Sequence, residues 1–181
     1  MLVSGGLLVK DKTKAAISFM SRNTATATVK ATEVGMQWEQ GNMKQGMLWE
    51  QGNMKQGMLW EDYVGKSLPA DARLPKNFKT FDYYDGATKT ATSVKSMDTQ
   101  TMAKLANPNQ VYSSIKGNID AAAKFKEYAL SGRELTSSMI SNREIQLAIP
   151  ADTTKTQWAE INRAIEYGKS QGVKVTVTQV K

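Results

Sequence analysis

The run from Phe78 to Ser96 constrains the fold more than any other part of the chain. It reads Phe78-Lys-Thr-Phe-Asp82-Tyr-Tyr-Asp85-Gly-Ala-Thr-Lys-Thr-Ala-Thr-Ser93-Val-Lys95-Ser. Aromatic and β-branched residues flank Asp85-Gly86, a dipeptide that favours tight hairpin turns because it tolerates positive φ. The pattern predicts strands at about 77–83 and 90–97. Strand side chains alternate, so Ser93 and Lys95 leave one face while Thr92 and Ser96 leave the other. Asp82 on the first strand, opposite Ser93-x-Lys95 on the second, sets a carboxylate and an ammonium beside one pocket. That pairing suits holding a divalent ion and polarising a water for phosphodiester hydrolysis. A further acid, Glu61, stands 21 residues before Asp82.

The chain contains no His and no Cys. Imidazole-based catalysis, thiolate metal sites and disulfides are therefore excluded. Any metal must sit on oxygen ligands, and any general base must be Lys, a carboxylate, Tyr or bound water. The 24 Lys and Arg residues outnumber the 17 Asp and Glu, for a net charge of +7. A basic surplus fits a polyanionic partner such as nucleic acid, although soluble proteins without one also carry such charge. The excess is spread along the chain, with 7 basic and 4 acidic groups in residues 1–60 and 17 and 13 in residues 61–181. No apolar run approaches the roughly 20 residues that span a bilayer, so no membrane anchor is expected in this chain. The apolar start, Met1 to Val9, is too short and poorly flanked for a signal peptide.

At 181 residues the chain suits one ordinary domain plus an appendage. Residues 1–35, rich in Thr, Ala, Ser and Lys, read as a loosely packed N-terminal appended region. They hold a potential helix over 12–22 and a potential strand over 24–29. The remainder, 36–181, reads as the functional domain. It opens on a tandem duplication, with residues 39–49 (Glu-Gln-Gly-Asn-Met-Lys-Gln-Gly-Met-Leu-Trp) repeated unchanged as 50–60. Two units are too few for a solenoid. The glycines at 41, 46, 52 and 57 oppose a continuous helix, each by about 1 kcal/mol relative to Ala. Three Trp-Glu pairs result, and only Trp60-Glu61 lies 21 residues from Asp82. A short helix is predicted after Glu61 as far as Ser67, then a loop over 68–76. A long helix is predicted over 109–130, ended by Ser131-Gly132. Ile145 to Ile149 reads as a strand stopped by Pro150. A helix over 154–170 starts with a Thr154/Gln157 capping box, and Val173 to Val177 alternates as a strand. The order helix, two strands, long helix, strand, helix, strand is that of an α/β sandwich.

The series Glu61, Asp82, Ser93-x-Lys95 resembles the nuclease core of the PD-(D/E)XK superfamily. More narrowly, residues 57–181 resemble the C-terminal toxin domain of contact-dependent growth inhibition effectors of the CdiA type, in their metal-dependent DNase branch. The resemblance implies an α/β, restriction-endonuclease-like fold with a mixed sheet flanked by helices. It implies Glu61 and Asp82 as metal ligands, Ser93 as a hydroxyl that positions the attacking water, and Lys95 as the group that orients or activates it. It further implies a divalent metal (Zn2+ foremost, with Mg2+ or Mn2+ as alternatives), a DNA substrate and a cognate immunity protein. In some relatives that inhibitor adds a strand to the toxin. The cell context implied is a secreted, cell-surface effector domain delivered into the cytoplasm of a target bacterium.

One departure stands out. Many superfamily members carry Glu or Asp where this chain has Ser93, so Glu61 must supply more of the metal binding, or Asp85 must help. Each residue also has an ordinary structural reading: Asp82 and Asp85 as turn acids, Ser93 and Lys95 as strand residues, Glu61 as a surface glutamate. Two rival functions stay open. One is a tRNA-cleaving toxin on the same core, and the other is a non-catalytic basic module that binds nucleic acid. Tyr83 and Tyr84 alternate and offer one ring per face, which is poor equipment for reading single-stranded RNA.

Overall fold

The computed structural model describes residues 25–35 and 48–181. Within these residues a five-stranded sheet has the order β1-β7-β6-β3-β2. Its strands are β1 (Ala25–Val29), β2 (Tyr83–Asp85), β3 (Thr90–Ser96), β6 (Asn142–Pro150) and β7 (Val173–Val180). β1, β7, β6 and β3 are mutually parallel, and β2 runs antiparallel to β3. The sheet is therefore mixed and flanked by helices, as the α/β expectation required.

Helices α4 (Asn109–Lys124) and α5 (Lys155–Ser170) cover one face. Val111, Ile115 and Ile119 of α4 and Trp158 and Ile161 of α5 pack there with Ile145, Leu147, Ile149, Val173 and Val175 in the main core. The helical spacing of these residues builds one apolar stripe on each helix. The Thr154/Gln157 capping box forms as expected, with Gln157 N donating to Thr154 Oγ1 at 3.1 Å and Thr154 N to Gln157 Oε1 at 3.0 Å.

The second face carries α1 (Ala31–Val34) and α2 (Leu48–Gly65). Val34, Trp60 and Val64 pack there with Tyr83, Val94, Ala148 and Val180. The helix expected only after Glu61 thus begins at Leu48 and takes in the second repeat copy, through Gly52 and Gly57. Two glycine penalties of about 1 kcal/mol each are outweighed by burying Trp60, a side chain worth about 3 kcal/mol or more in a core. The first repeat copy and the potential helix over 12–22 lie largely or wholly outside the described residues.

Three further expectations need correction. First, residues 25–35 are not loosely attached. β1 pairs with β7 from Ala25 to Val29, and Lys181 N donates to Val29 O at 2.9 Å. Second, residues 77–82 are not a strand, and β2 begins only at Tyr83. Asn77 and Thr80 have φ of 67° and 73°, outside any strand geometry and disfavoured for β-branched Thr. The backbone coils because Phe78 and Phe81, three apart, both enter the main core. Third, the long helix stops at Lys124 rather than running to 130. Phe125 turns inward to meet Phe81 edge-on at 5.1 Å. Residues beyond it form a separate two-stranded ribbon, β4 (Glu127–Leu130) with β5 (Arg133–Thr136). Ser131-Gly132, with φ of 51° and 76°, is its two-residue hairpin turn, not a helix stop. The short helix α3 (Met102–Ala106) links β3 to α4.

Gly65 sets how closely α2 approaches the sheet edge. A Cβ there would stand 2.3 Å from the Tyr83 hydroxyl and 2.9 Å from its ring carbon. Gly65→Ala, which ordinarily stabilises a helix by about 1 kcal/mol, is therefore expected to destabilise this protein by about 1–3 kcal/mol through overpacking. Urea denaturation measures the effect, and placing Gly65→Ala in a Tyr83→Phe background should recover part of the loss.

Candidate active site

Trp60 anchors the helix that carries Glu61. Its side chain is 2% exposed, its ring stacks on Tyr63 at 5.6 Å, and its Nε1 donates to Gln146 O at 3.2 Å. The next residue, Glu61, points to the β2 edge of the sheet. Its backbone carbonyl accepts the Tyr83 hydroxyl at 2.8 Å, which joins α2 to the first residue of β2. Gly57 lies over Ser96 and Gly65 over Tyr83, so α2 runs along the open end of the β2–β3 hairpin.

Asp82 occupies the place where that hairpin stops pairing. Its N–H donates to Thr92 O at 2.9 Å, and its carbonyl accepts Leu74 N at 2.9 Å. Beyond Thr92 no β2 backbone faces β3, and the Asp82 carboxylate fills the gap by accepting Val94 N at 2.7 Å. Three hydrogen bonds therefore fix this residue. Burial raises the Asp82 carboxyl above its ordinary 3.8, against the Val94 amide and the charges of Lys95 and Arg73, which lower it. Burial, then the charge of Asp82, raises Glu61 above its ordinary 4.5, and the charge of Arg73 pulls the other way.

β3 presents Ser93 and Lys95 in one phase. Ala91, in that phase, belongs to the α4/α5 core, whereas Val94 belongs to the α2 core. Ser93 is buried at 2% exposure, opposite Ile145 of β6. Lys95 is half-buried, and its charge acts on Asp82. The charge of Asp82 acts on Glu61 and that of Lys95 on Asp82, whereas Ser93 and Lys95 share the phase of the α4/α5 core and Glu61 rides on the helix of the opposite face. Asp85 is occupied elsewhere, its Oδ1 accepting Ala87 N at 3.0 Å within the hairpin turn. A recess of about 200 Å3 lined by Tyr83, Thr92, Glu144 and Gln146 includes none of Glu61, Asp82, Ser93 or Lys95. Asp82 directly precedes β2, the edge strand of the sheet.

Arg73 joins this group although no motif points to it. Its Nη2 lies 2.8 Å from Asp62 and 3.4 Å from Glu61, and its guanidinium lies over the Tyr83 ring at 5.9 Å. The one signal in the sequence is a lone basic residue between Ala72 and Leu74, both of which are buried. Arg73 forms an isolated antiparallel bridge with Tyr83, a pairing that crosses an irregular loop.

Two carboxylates drawn partly out of water, each raised in pKa and in mutual repulsion, fit a divalent cation, which would relieve that repulsion. The donors are oxygens throughout, as hard cations prefer. Among the described residues no group of three or more Asp and Glu side chains is placed to hold a metal ion.

A carboxylate-bearing helix, a hairpin opening on Asp82 with Ser93-x-Lys95 on its second strand, and a parallel β-α-β unit together define a restriction-endonuclease-like fold. A family described as the CDI toxin restriction endonuclease-like domain matches residues 56–178. The chain belongs to that family, whose endonuclease-like character points to dependence on a divalent metal.

The chain is 90% identical over its 181 residues to the deoxyribonuclease CdiA-o11 of Escherichia coli O157:H7 (strain EC869), and it spans 45% of that protein. It is 64% identical over 180 residues, 99% of the chain, to the deoxyribonuclease CdiA of Yersinia pseudotuberculosis serotype O:3 (strain YPIII), spanning 16% of it. It therefore covers less than half the length of these relatives. A solved structure, the CdiA-CT/CdiI toxin and immunity complex from Yersinia pseudotuberculosis, superposes with a TM-score of 0.63 at 70% identity. That match covers 67% of this chain and 98% of the solved one.

Raised carboxyl pKa values destabilise the folded protein once these groups ionise. The folded state holds its protons to higher pH than the unfolded chain, so stability falls as pH rises from the ordinary carboxylate range through the raised values. Metal-free Asp82→Asn and Glu61→Gln are therefore expected to melt above wild type at pH 7. The difference should shrink as pH falls below the ordinary 3.8–4.5. Thermal melts in chelator across pH 3–8 measure it.

Proposed function

We propose that this chain is the nuclease toxin domain of a contact-dependent growth inhibition effector and cleaves DNA with a divalent metal. The observation that carries the reading is the Asp82 carboxylate held on the Val94 amide where β2 stops covering β3, with the charges of Asp82 on Glu61 and of Lys95 on Asp82 beside it. Membership of the endonuclease-like family and identity to proteins named deoxyribonucleases support it. Residues 36–181 are proposed as the toxin domain, with 1–35 as the joining region from which β1 enters the sheet.

Glu61 and Asp82 would hold the ion. When bound, it would neutralise phosphate charge and acidify a water. Zn2+ is the ion proposed, on the resemblance to the DNase branch alone, with Mg2+ or Mn2+ as alternatives that all-oxygen donors also suit. Lys95 orients the attacking water and offsets negative charge at the phosphoryl oxygens. Ser93 supplies a hydroxyl in place of a third carboxylate, which lowers the site's negative charge and eases approach of the phosphodiester. Asp82 keeps its position because one of its oxygens stays on the Val94 amide.

DNA is preferred over RNA. Tyr83 is buried in the α2 core and Tyr84 packs against the opposite one, with its hydroxyl on Met139 O. Trp60 is buried as well. None of these three is free to stack on a base, which favours backbone tracking by Lys and Arg. A protein partner of the immunity type is proposed on the likeness to the solved toxin and immunity complex. The β4–β5 ribbon is a sheet of its own whose outer edges have no strand partner among the described residues, as strand addition requires. Delivery into a target bacterium is proposed on the same likeness. Among the described residues no helix is long and apolar enough to cross a membrane.

Purified protein incubated with plasmid and with total RNA, with and without chelator, tests the activity. Plasmid should be nicked or linearised only with metal present. Intact plasmid beside specifically cut tRNA would replace the DNase reading with the RNase one. Asp82→Ala, Glu61→Gln and Lys95→Ala should each lower cleavage by about 100-fold or more, with Lys95→Ala still binding DNA. Glu39→Gln and Glu50→Gln should stay near wild type, and a variant lacking residues 40–50 should remain active.

A further inference from the structure

The site has a cation that neither the metal reading nor the Ser93-Lys95 pair uses. Arg73 is fixed at its backbone and half-exposed along its side chain. On either side of it, Tyr84 N donates to Ala72 O at 2.8 Å and Leu74 N to Asp82 O at 2.9 Å. These bonds lock the Arg73 Cα against the strand that begins beside Asp82. The side chain is 50% exposed. Both of its ion pairs, to Asp62 at 2.8 Å and to Glu61 at 3.4 Å, use Nη2. The remaining N–H groups of the guanidinium fork make neither contact, and a planar fork of that kind matches a phosphate.

Glu61 Oε1, the oxygen that Arg73 approaches, is also one that a divalent ion would take. The two cations therefore compete for one carboxylate. The longer contact is the one to Glu61, so it is the one a metal displaces, and Asp62 keeps the guanidinium at the mouth of the site. Resting on the metal-dependent reading above, we propose that Arg73 is a phosphate-binding residue held back by Glu61, and that metal entry at Glu61 frees its remaining N–H groups to take the DNA backbone while Asp62 still holds Nη2.

Removing Arg73 should then move two affinities in opposite directions, which a purely structural residue would not do. Arg73→Gln is expected to bind Zn2+ and Mn2+ about two- to fivefold more tightly in calorimetric titrations without DNA, the scale of a partly exposed ion pair. With metal present, the same variant should bind a phosphorothioate duplex about three- to tenfold more weakly, with a salt slope lower by about one contact. In chelator, its DNA affinity should lie within about twofold of wild type, since Glu61 and Asp62 then retain the guanidinium. Arg73→Lys keeps the charge but lacks the fork, so its metal affinity should stay near wild type and its DNA affinity fall between the two. Thermal melts confirm that both variants fold.

Weaker metal binding by Arg73→Gln would make Arg73 a prop for Glu61 and overturn the inference. Unchanged DNA affinity in metal would overturn it as well. If wild type takes up neither ion, the metal-dependent reading fails and this inference fails with it. If wild type binds metal and cleaves DNA while Arg73→Gln matches it in both titrations, only the role of Arg73 falls.

Discussion

The Asp82 carboxylate on the Val94 amide is the contact on which the rest of the site depends. β2 covers β3 only from Thr90 to Thr92, and a side-chain oxygen satisfies the next amide in place of a backbone carbonyl. An unmet amide at that depth would cost about 1–3 kcal/mol. The substitution solves the amide's problem and creates another, because a carboxylate is now drawn out of water and its pKa rises. Lys95 and Arg73 are two answers to that charge, since both lower the Asp82 carboxyl. Ending the hairpin early thus leaves β3 beyond Thr92 without a β2 partner, beside a carboxylate held by its side chain.

Helix α2 supplies the other half of the site against its own local preference. Its composition, with glycines at 52 and 57, disfavours a long helix, and tertiary packing overrides that preference. Trp60 and Val64 bury themselves on the sheet, and Gly65 lets the helix end close against Tyr83. The Tyr83 hydroxyl then holds the Glu61 carbonyl. Glu61 is consequently placed from both sides, by the helix that carries it and by the strand that Asp82 begins. The Asp82 charge then raises the Glu61 carboxyl, so with both groups ionised the protein gives up some stability.

Long, strongly periodic segments are legible from residue spacing. α5 with its capping box, the alternation of β7 and the apolar stripe of α4 all follow from it, because each element buries a face that its own residues prescribe. Three local signals mislead. Phe78 and Phe81 read as strand aromatics, yet both reach the core through a coil with positive φ at Asn77 and Thr80. Ser131-Gly132 reads as a helix stop, and it is a hairpin turn. Gly52 and Gly57 read as helix breakers and lie inside α2. In each case a long-range contact, Phe125 on Phe81 or Trp60 on the sheet, outweighs a local preference of about 1 kcal/mol.

Donor chemistry and family pattern belong to the sequence alone. A chain without His or Cys has only oxygen ligands to offer, and Glu61, Asp82, Ser93 and Lys95 stand in an order and spacing that resemble the endonuclease-like core. Which atoms meet is a matter of tertiary structure. Residue spacing carries no information on where a hairpin stops pairing, so the Val94 amide under Asp82 could not be read from it. Nor could the approach of Arg73 to Glu61, two residues 12 apart in the chain. Their meeting requires an irregular loop to lie along the edge of β2, and backbone hydrogen bonds to residues further along the chain hold it there.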